Sequence, residues 1–188
     1  GLGFEVFVAE AVRERTGYLA GADRQRARLI NDLFADPGIC AIWCARGGYG
    51  SMRCLPFIDY ARIRENPKIL IGASDATALL MSVYLRCKMP VVHGPMVVSL
   101  ADADEPTCQS ARLLFSCEKA PGIASDPPIV ICGGVARGPV AGGNLTTLAH
   151  LIGTGFEPDF SGHLLFLEDI GEAPYRIDRM LTQMKMAG

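Results

Sequence analysis

The stretch KILIGASDATALLMSVYLRC, residues 68–87, decides how this chain is read. Ile69, Leu70 and Ile71 form a strand-like run that breaks at Gly72. Ser74 follows two residues later, and from Asp75 onward the pattern is helical. A serine on so sharp a strand-to-helix turn is raised over the sheet edge at a helix N-terminus, which is the mechanical logic of a nucleophile elbow. Small neighbours, Gly72, Ala73 and Ala76, let the backbone fold tightly, although Ala76 stands where the commonest elbow has its second glycine. The same Ser-Asp pair also reads as an ordinary helix N-cap, with Ser74 or Asp75 accepting from backbone amides. The two readings are compatible.

Strand and helix signals alternate on both sides of this stretch. GFEVFVA (3–9) reads as a strand, and DRQRARLINDLFA (23–35) as a helix with Leu29, Ile30, Leu33 and Phe34 on its apolar stripe. Asp36-Pro37-Gly38 ends that helix. ICAIWCA (39–45) is a continuous apolar run, as expected of a strand buried on both faces of a parallel sheet. A short helical stretch around 51–64, the strand 68–72, a helix to Cys87 and the strand PVVHG (90–94) complete the first half. This spacing predicts βαβ units and an α/β fold with an open, mostly parallel sheet. The Pro/Gly/Asp-rich piece 119–128 is the expected linker between a domain over 1–118 and the start of a smaller one over 129–188. Beyond it, IVICGGVARGPVAGG (129–143) reads as strand-like, NLTTLAHLIG (144–153) as a short helix, GHLLFLEDI (162–170) as a buried strand and YRIDRMLTQMKM (175–186) as a helix.

Three strand ends carry candidate chemistry. IWCARGGYG (42–50) runs from an apolar segment into Arg46, Gly47, Gly48, Tyr49 and Gly50. No Lys-Ser/Thr follows as a phosphate-cradling loop requires, and Arg53 stands where the third glycine of GxGxxG belongs. A tight structural turn remains open. So does a loop whose backbone N–H groups, with that of Asp75, face a developing oxyanion. Glu168 and Asp169 end an apolar strand, a place suited to a sheet-edge crevice or to capping the next turn. His93, before Gly94-Pro95, reads either as a base for Ser74 or as a positioned cleft histidine.

The bulk numbers exclude several classes. With 188 residues and 49% hydrophobic composition, a packed core is expected. Net charge is −2 and the pI about 5.9, which removes the electrostatic footprint of a nucleic-acid binder. No apolar run approaches the ~18 residues of a membrane span. Seven cysteines (40, 44, 54, 87, 108, 117 and 132) include no CxxC pair and read as reduced thiols of a cytoplasmic protein. Cys40 and Cys44 are expected to be strand-buried. The three histidines, at 93, 150 and 163, form no zinc motif, and no metal or organic cofactor is expected. The absence of an initiator Met and the apolar helix face closing the sequence make the chain read as truncated at both ends.

Taken together, the segments 17–56, NPKILIGASDATALL (66–80), HGP (93–95), GPVAGGNLTTLAHLIGT (138–154) and LLFLEDIGEAPYRIDRML (164–181) resemble the LD-carboxypeptidase family, serine peptidases that include muramoyltetrapeptide carboxypeptidases and microcin C immunity peptidases. The resemblance implies an α/β N-terminal domain joined to a smaller C-terminal domain, with the active site between them. It implies Ser74 as nucleophile, Glu168 as the acid that orients a histidine, and an oxyanion hole from the Asp75 amide with Gly47 or Gly48. No residue here matches the family's catalytic histidine, which lies farther downstream, and His93 in HGP is distinct from it. The first family strand is also unmatched, and the chain on its own is expected to be nearly inactive. The implied substrate is a small peptide, a murein peptide or a peptide-nucleotide, with Arg46 the nearest cation for its free carboxylate. A homodimer acting in peptidoglycan recycling is the expected setting. A cell-wall-peptide binder without catalysis and a nucleotide-binding domain are the rival classes.

Overall fold

In a computed structural model of the chain, residues 5–116 and 129–188 are described. The 68–87 stretch forms the strand β2 (Ile69–Gly72), a 3₁₀ turn over Ser74–Ala76 and the helix α4 (Thr77–Cys87). Flanking strands β1 (Ala41–Trp43) and β3 (Val92–His93) pair with β2 in parallel, in the order β1-β2-β3, with Ile42 beside Leu70 and Gly72 beside His93. A second parallel pair, β4 (Val140–Asn144) and β5 (Leu164–Glu168), sets Asn144 beside Glu168. The fold class is therefore α/β with parallel pairing throughout the named strands.

α4 stands between these two sheets. Thr77 through Val83 and Cys87 are all buried, so the helix is enclosed nearly all round instead of showing one apolar stripe. It packs on β2 and β3 on one side and on β4 and α7 (Leu145–Leu151) on the other. One hydrophobic cluster consequently joins Phe34, Leu55, Ile63 and Leu70 to Ala141, Leu148 and Leu151. The first-half helices close the outer face: α1 (Asp23–Ala35), α2 (Ser51–Cys54) and α3 (Tyr60–Glu65), the last capped by Asp59 accepting the Arg62 N–H at 3.0 Å. α5 (Val97–Ala101) and α6 (Glu105–Ser116) follow β3, and α8 (Pro174–Ala187) packs on α7.

Several expectations need correction. Residues 5–9 are not a strand, and Val6, Phe7 and Val8 are exposed. Residues 129–139 are likewise irregular, with Ile129, Ile131 and Val135 exposed. β-branched runs become strands only against a partner and a half-buried face, and neither segment has a strand partner among the described residues. β1 is shorter than ICAIWCA suggests and, among the described residues, stands at the end of its sheet. Only Ile42 is buried in it, while Cys40 is exposed. The six described cysteines form no disulfide. The expected linker at 119–128 lies outside the described residues.

Two side chains of α4 reach into β4. The Asn144 N–H donates to Thr77 Oγ1 at 3.1 Å, and the Gly142 N–H lies 3.3 Å from Met81 Sδ. Thr77 is fully buried, so its hydroxyl is the acceptor that replaces water for that amide. Thr77→Val keeps the shape and removes the acceptor, and is expected to cost about 1–3 kcal/mol in urea unfolding. Thr77→Ser should cost less. Equal stability of Thr77→Val and wild type would show that the bond contributes nothing.

Candidate active site

The turn after β2 is strained. Ala73 is extended, with φ −153° and ψ 179°, and Ser74 then adopts φ +57°, a left-handed conformation that a non-glycine residue holds only when its surroundings impose it. Burial of Ala76 and of the whole first turn of α4 supplies that constraint. Gly72 is also required, since a Cβ there would sit 2.8 Å from Ala76 Cβ and 2.9 Å from Cys44 Sγ. Neither Ser74 nor Asp75 caps α4: no side-chain bond closes its N-terminus.

Asp75 turns instead to the glycine loop after β1. Its carboxylate accepts the Ser51 N–H at 2.9 Å and the Gly50 N–H at 3.3 Å, so it caps α2, a different helix from the one its position in the sequence suggests. This tether brings residues 46–50 beside the elbow. A Cβ on Gly47 would lie 3.0 Å from Ser74 Cβ and 3.1 Å from Ser74 Oγ, so only glycine lets the loop backbone approach the hydroxyl this closely. The loop is held from below as well, by the Val97 and Val98 N–H groups donating to the Cys44 and Ala45 carbonyls at 3.2 and 3.0 Å. Arg46 is exposed, and its Nε donates to the Gly47 carbonyl at 3.2 Å. Gly48 is exposed at the loop tip.

The third strand-end motif divides its two carboxylates. Asp169 accepts from the Thr146 N–H at 2.9 Å, from the Thr146 hydroxyl at 2.7 Å and from the Ile170 N–H at 2.9 Å, which fixes it at the first turn of α7. Burial pushes its pKa up, but these hydrogen bonds outweigh burial and hold the carboxyl below its ordinary value. Glu168 points the other way, with Oε1 3.6 Å from His93 Nε2. Ser74, Gly47, Asp75, His93 and Glu168 thus all belong to the C-terminal ends of parallel strands or the loops that follow them, where open α/β sheets form their crevices. His93 makes no hydrogen bond to Ser74: Nε2 faces Glu168, and Nδ1 is buried without a partner among the described residues. His150 and His163 are engaged elsewhere, with the Thr146 carbonyl at 2.6 Å and the Tyr84 hydroxyl at 3.0 Å. Among the described residues no group of three or more His, Cys, Asp or Glu could hold a metal ion.

The Asp75 tether and the approach of His93 to Glu168 are absent from the sequence reading. One clue to the first was available: Gly50 precedes α2 and has no side chain to cap it, so an acceptor had to come from elsewhere.

Parallel strand ends, a strained serine turn and a glycine loop against its hydroxyl define the site of an α/β protein. Family comparison makes this specific. Residues 1–94 match the LD-carboxypeptidase N-terminal domain and residues 137–188 the LD-carboxypeptidase C-terminal domain, and the chain belongs to the LD-carboxypeptidase family. A probable murein peptide carboxypeptidase of Bacillus subtilis is 39% identical over 191 residues, covering 100% of this chain and 60% of that protein. The solved muramoyltetrapeptide carboxypeptidase from Oxalobacter formigenes superposes with a TM-score of 0.82 at 32% identity, covering 99% of this chain and 63% of that one. The microcin C7 self-immunity protein, solved with aspartyl sulfamoyl adenosine, gives 0.83 at 27% identity, covering 98% and 64%. The chain spans about 60% of the length of the curated relatives it matches.

The strain at Ser74 has a measurable consequence. Glycine adopts φ +57° freely and alanine does not, so Ser74→Gly is expected to be more stable than Ser74→Ala by about 1 kcal/mol in urea unfolding. An alanine variant as stable as the glycine variant would mean that the turn is relaxed.

Proposed function

We propose that this chain carries the nucleophile of a serine carboxypeptidase. The bond cleaved is the amide between an L-centre and a C-terminal D-amino acid, such as the terminal D-Ala of a murein tetrapeptide. The observation that carries the reading is the Gly47 backbone against the Ser74 hydroxyl, in a loop pinned by the carboxylate of Asp75. Ser74 Oγ attacks the carbonyl carbon. The backbone N–H of Asp75, with that of Gly47 or Gly48, receives the charge that builds on the carbonyl oxygen. Glu168 orients a histidine supplied from outside residues 1–188, which takes the serine proton and passes it to the leaving amine. Water then displaces the acyl group from Ser74 by the same route. Arg46 meets the free carboxylate of the substrate: it is exposed at the loop, and only its Nε is engaged among the described residues.

A second reading keeps the same machinery with a peptide-nucleotide substrate. It draws on the likeness to the immunity protein solved with aspartyl sulfamoyl adenosine. Parallel hydrolysis assays on an L,D-tetrapeptide and an aminoacyl sulfamoyl nucleoside separate the two.

Fluorophosphonate labelling and tetrapeptide hydrolysis, run on the full-length gene product, test the mechanism. Ser74→Ala is expected to abolish both. Labelling of Ser74→Ala at the wild-type rate would put the nucleophile elsewhere. Asp75→Ala keeps its backbone amide but frees the loop, and should lower kcat by about 10²-fold, the effect of displacing one oxyanion donor. Arg46→Ala should raise KM with little change in kcat, and an unchanged KM would remove Arg46 from carboxylate recognition.

A further inference from the structure

His93 ends β3 and Glu168 ends β5, so their 3.6 Å contact joins the two sheets at the edge of the site. The histidine lies in the segment matching the N-terminal family domain and the glutamate in the segment matching the C-terminal one. Two further groups lie against the half-buried ring. Phe166, also of β5, meets it edge-on with centroids 5.3 Å apart. Gly143 of β4, at φ +144°, makes room for it: a Cβ there would stand 3.2 Å from His93 Nδ1. Nδ1 is buried and has no hydrogen-bond partner among the described residues. Burial pushes the imidazole below its ordinary pKa, and the charge of Glu168 opposes that shift. A neutral ring with Nδ1 walled off carries its proton on Nε2, the nitrogen that faces the carboxylate. Among the described residues Glu168 has no other hydrogen-bond or ion-pair partner.

We propose that His93 is a positioning residue for Glu168: from the opposite sheet it engages one carboxylate oxygen and sets how the other is presented to the site. The assignment rests on the proposed role of Glu168 as the acid that orients the catalytic histidine. Nε2 faces Glu168 and Nδ1 is walled off beside Gly143, which separates this role from that of a base for Ser74.

The pairing is tested without reference to activity. The imidazole resonances of the full chain are followed through a pH titration in wild type and Glu168→Gln, with His93 assigned by its loss in His93→Gln. Among the described residues Glu168 is the one charge that shifts this ring. Its removal is therefore expected to move the His93 midpoint further down, and an unchanged midpoint overturns the proposal whatever the protein hydrolyses. On the full-length gene product with an L,D-tetrapeptide, His93→Leu should lower kcat roughly ten- to hundredfold with KM little changed. His93→Gln, which keeps an N–H donor near Nε2, should recover most of the rate. A wild-type rate in His93→Leu overturns the proposal. A loss as complete as that of Ser74→Ala also overturns it, because His93 would then be the base. If the wild-type protein leaves the tetrapeptide intact, the proposed substrate fails while the titration still decides the pairing.

Discussion

Burial of α4 on nearly every side is the constraint on which the rest of the structure depends. A helix with Leu79, Leu80, Met81 and Val83 all enclosed cannot rotate or slide without exposing apolar surface. Each such side chain contributes about 1.5–3 kcal/mol by its burial. The left-handed backbone at Ser74 costs on the order of 1–3 kcal/mol. Burial therefore wins, and the strained turn is carried by the helix that follows it. The serine is held at the sheet edge because α4 has nowhere else to go.

Position along the strand axis is then shared out among neighbours. The same helix anchors β2 through the turn and β4 through Thr77 and Met81, so elements from both halves of the chain take their register from one rod. Asp75, one residue beyond the serine, reaches back to Ser51 and sets the glycine loop against the hydroxyl it flanks. In the proposed chemistry that single residue would provide one oxyanion donor with its backbone and place the other with its side chain. A carboxylate accepting two backbone N–H groups suits this task, since charge-assisted bonds are short and strong for their number.

What was legible in the sequence follows from which interactions are local. β2, α4, α7, α8 and β5 announce themselves because strand runs and helical periodicity need only neighbours in sequence. The positions of Ser74, Gly47, Gly48 and Glu168 at or just after strand ends were legible for the same reason. The segments 3–9 and 129–139 misled because Val, Ile and Phe report a capacity for pairing, and pairing depends on a partner that sequence does not locate. The Asp75 carboxylate was misassigned in kind: acidic residues at a helix start usually cap that helix, and here the acceptor is consumed by amides 24 and 25 residues back in the chain. His93 and Glu168 each looked ambiguous alone, and only the meeting of two sheets gives them a common geometry.

That meeting bears on why the site is split between two sheets. A carboxylate at the end of β5 is tied to β4 by register and to α7 only through its neighbour Asp169, so its backbone is fixed while its side chain is free to rotate. A contact from β3 removes that freedom at the one point where the two halves converge. The cost is a partly buried imidazole whose Nδ1 is buried and unpaired among the described residues, a penalty of about 1–3 kcal/mol that an apolar side chain would avoid. Packing does not require a histidine there, because Phe166 and Gly143 would accept an apolar group of similar size. The polar choice is understandable if the gain lies in the direction of the Glu168 carboxylate, since in the proposed mechanism a misplaced orienting group would slow the reaction by up to about 10²-fold, about 2.7 kcal/mol, comparable with this penalty.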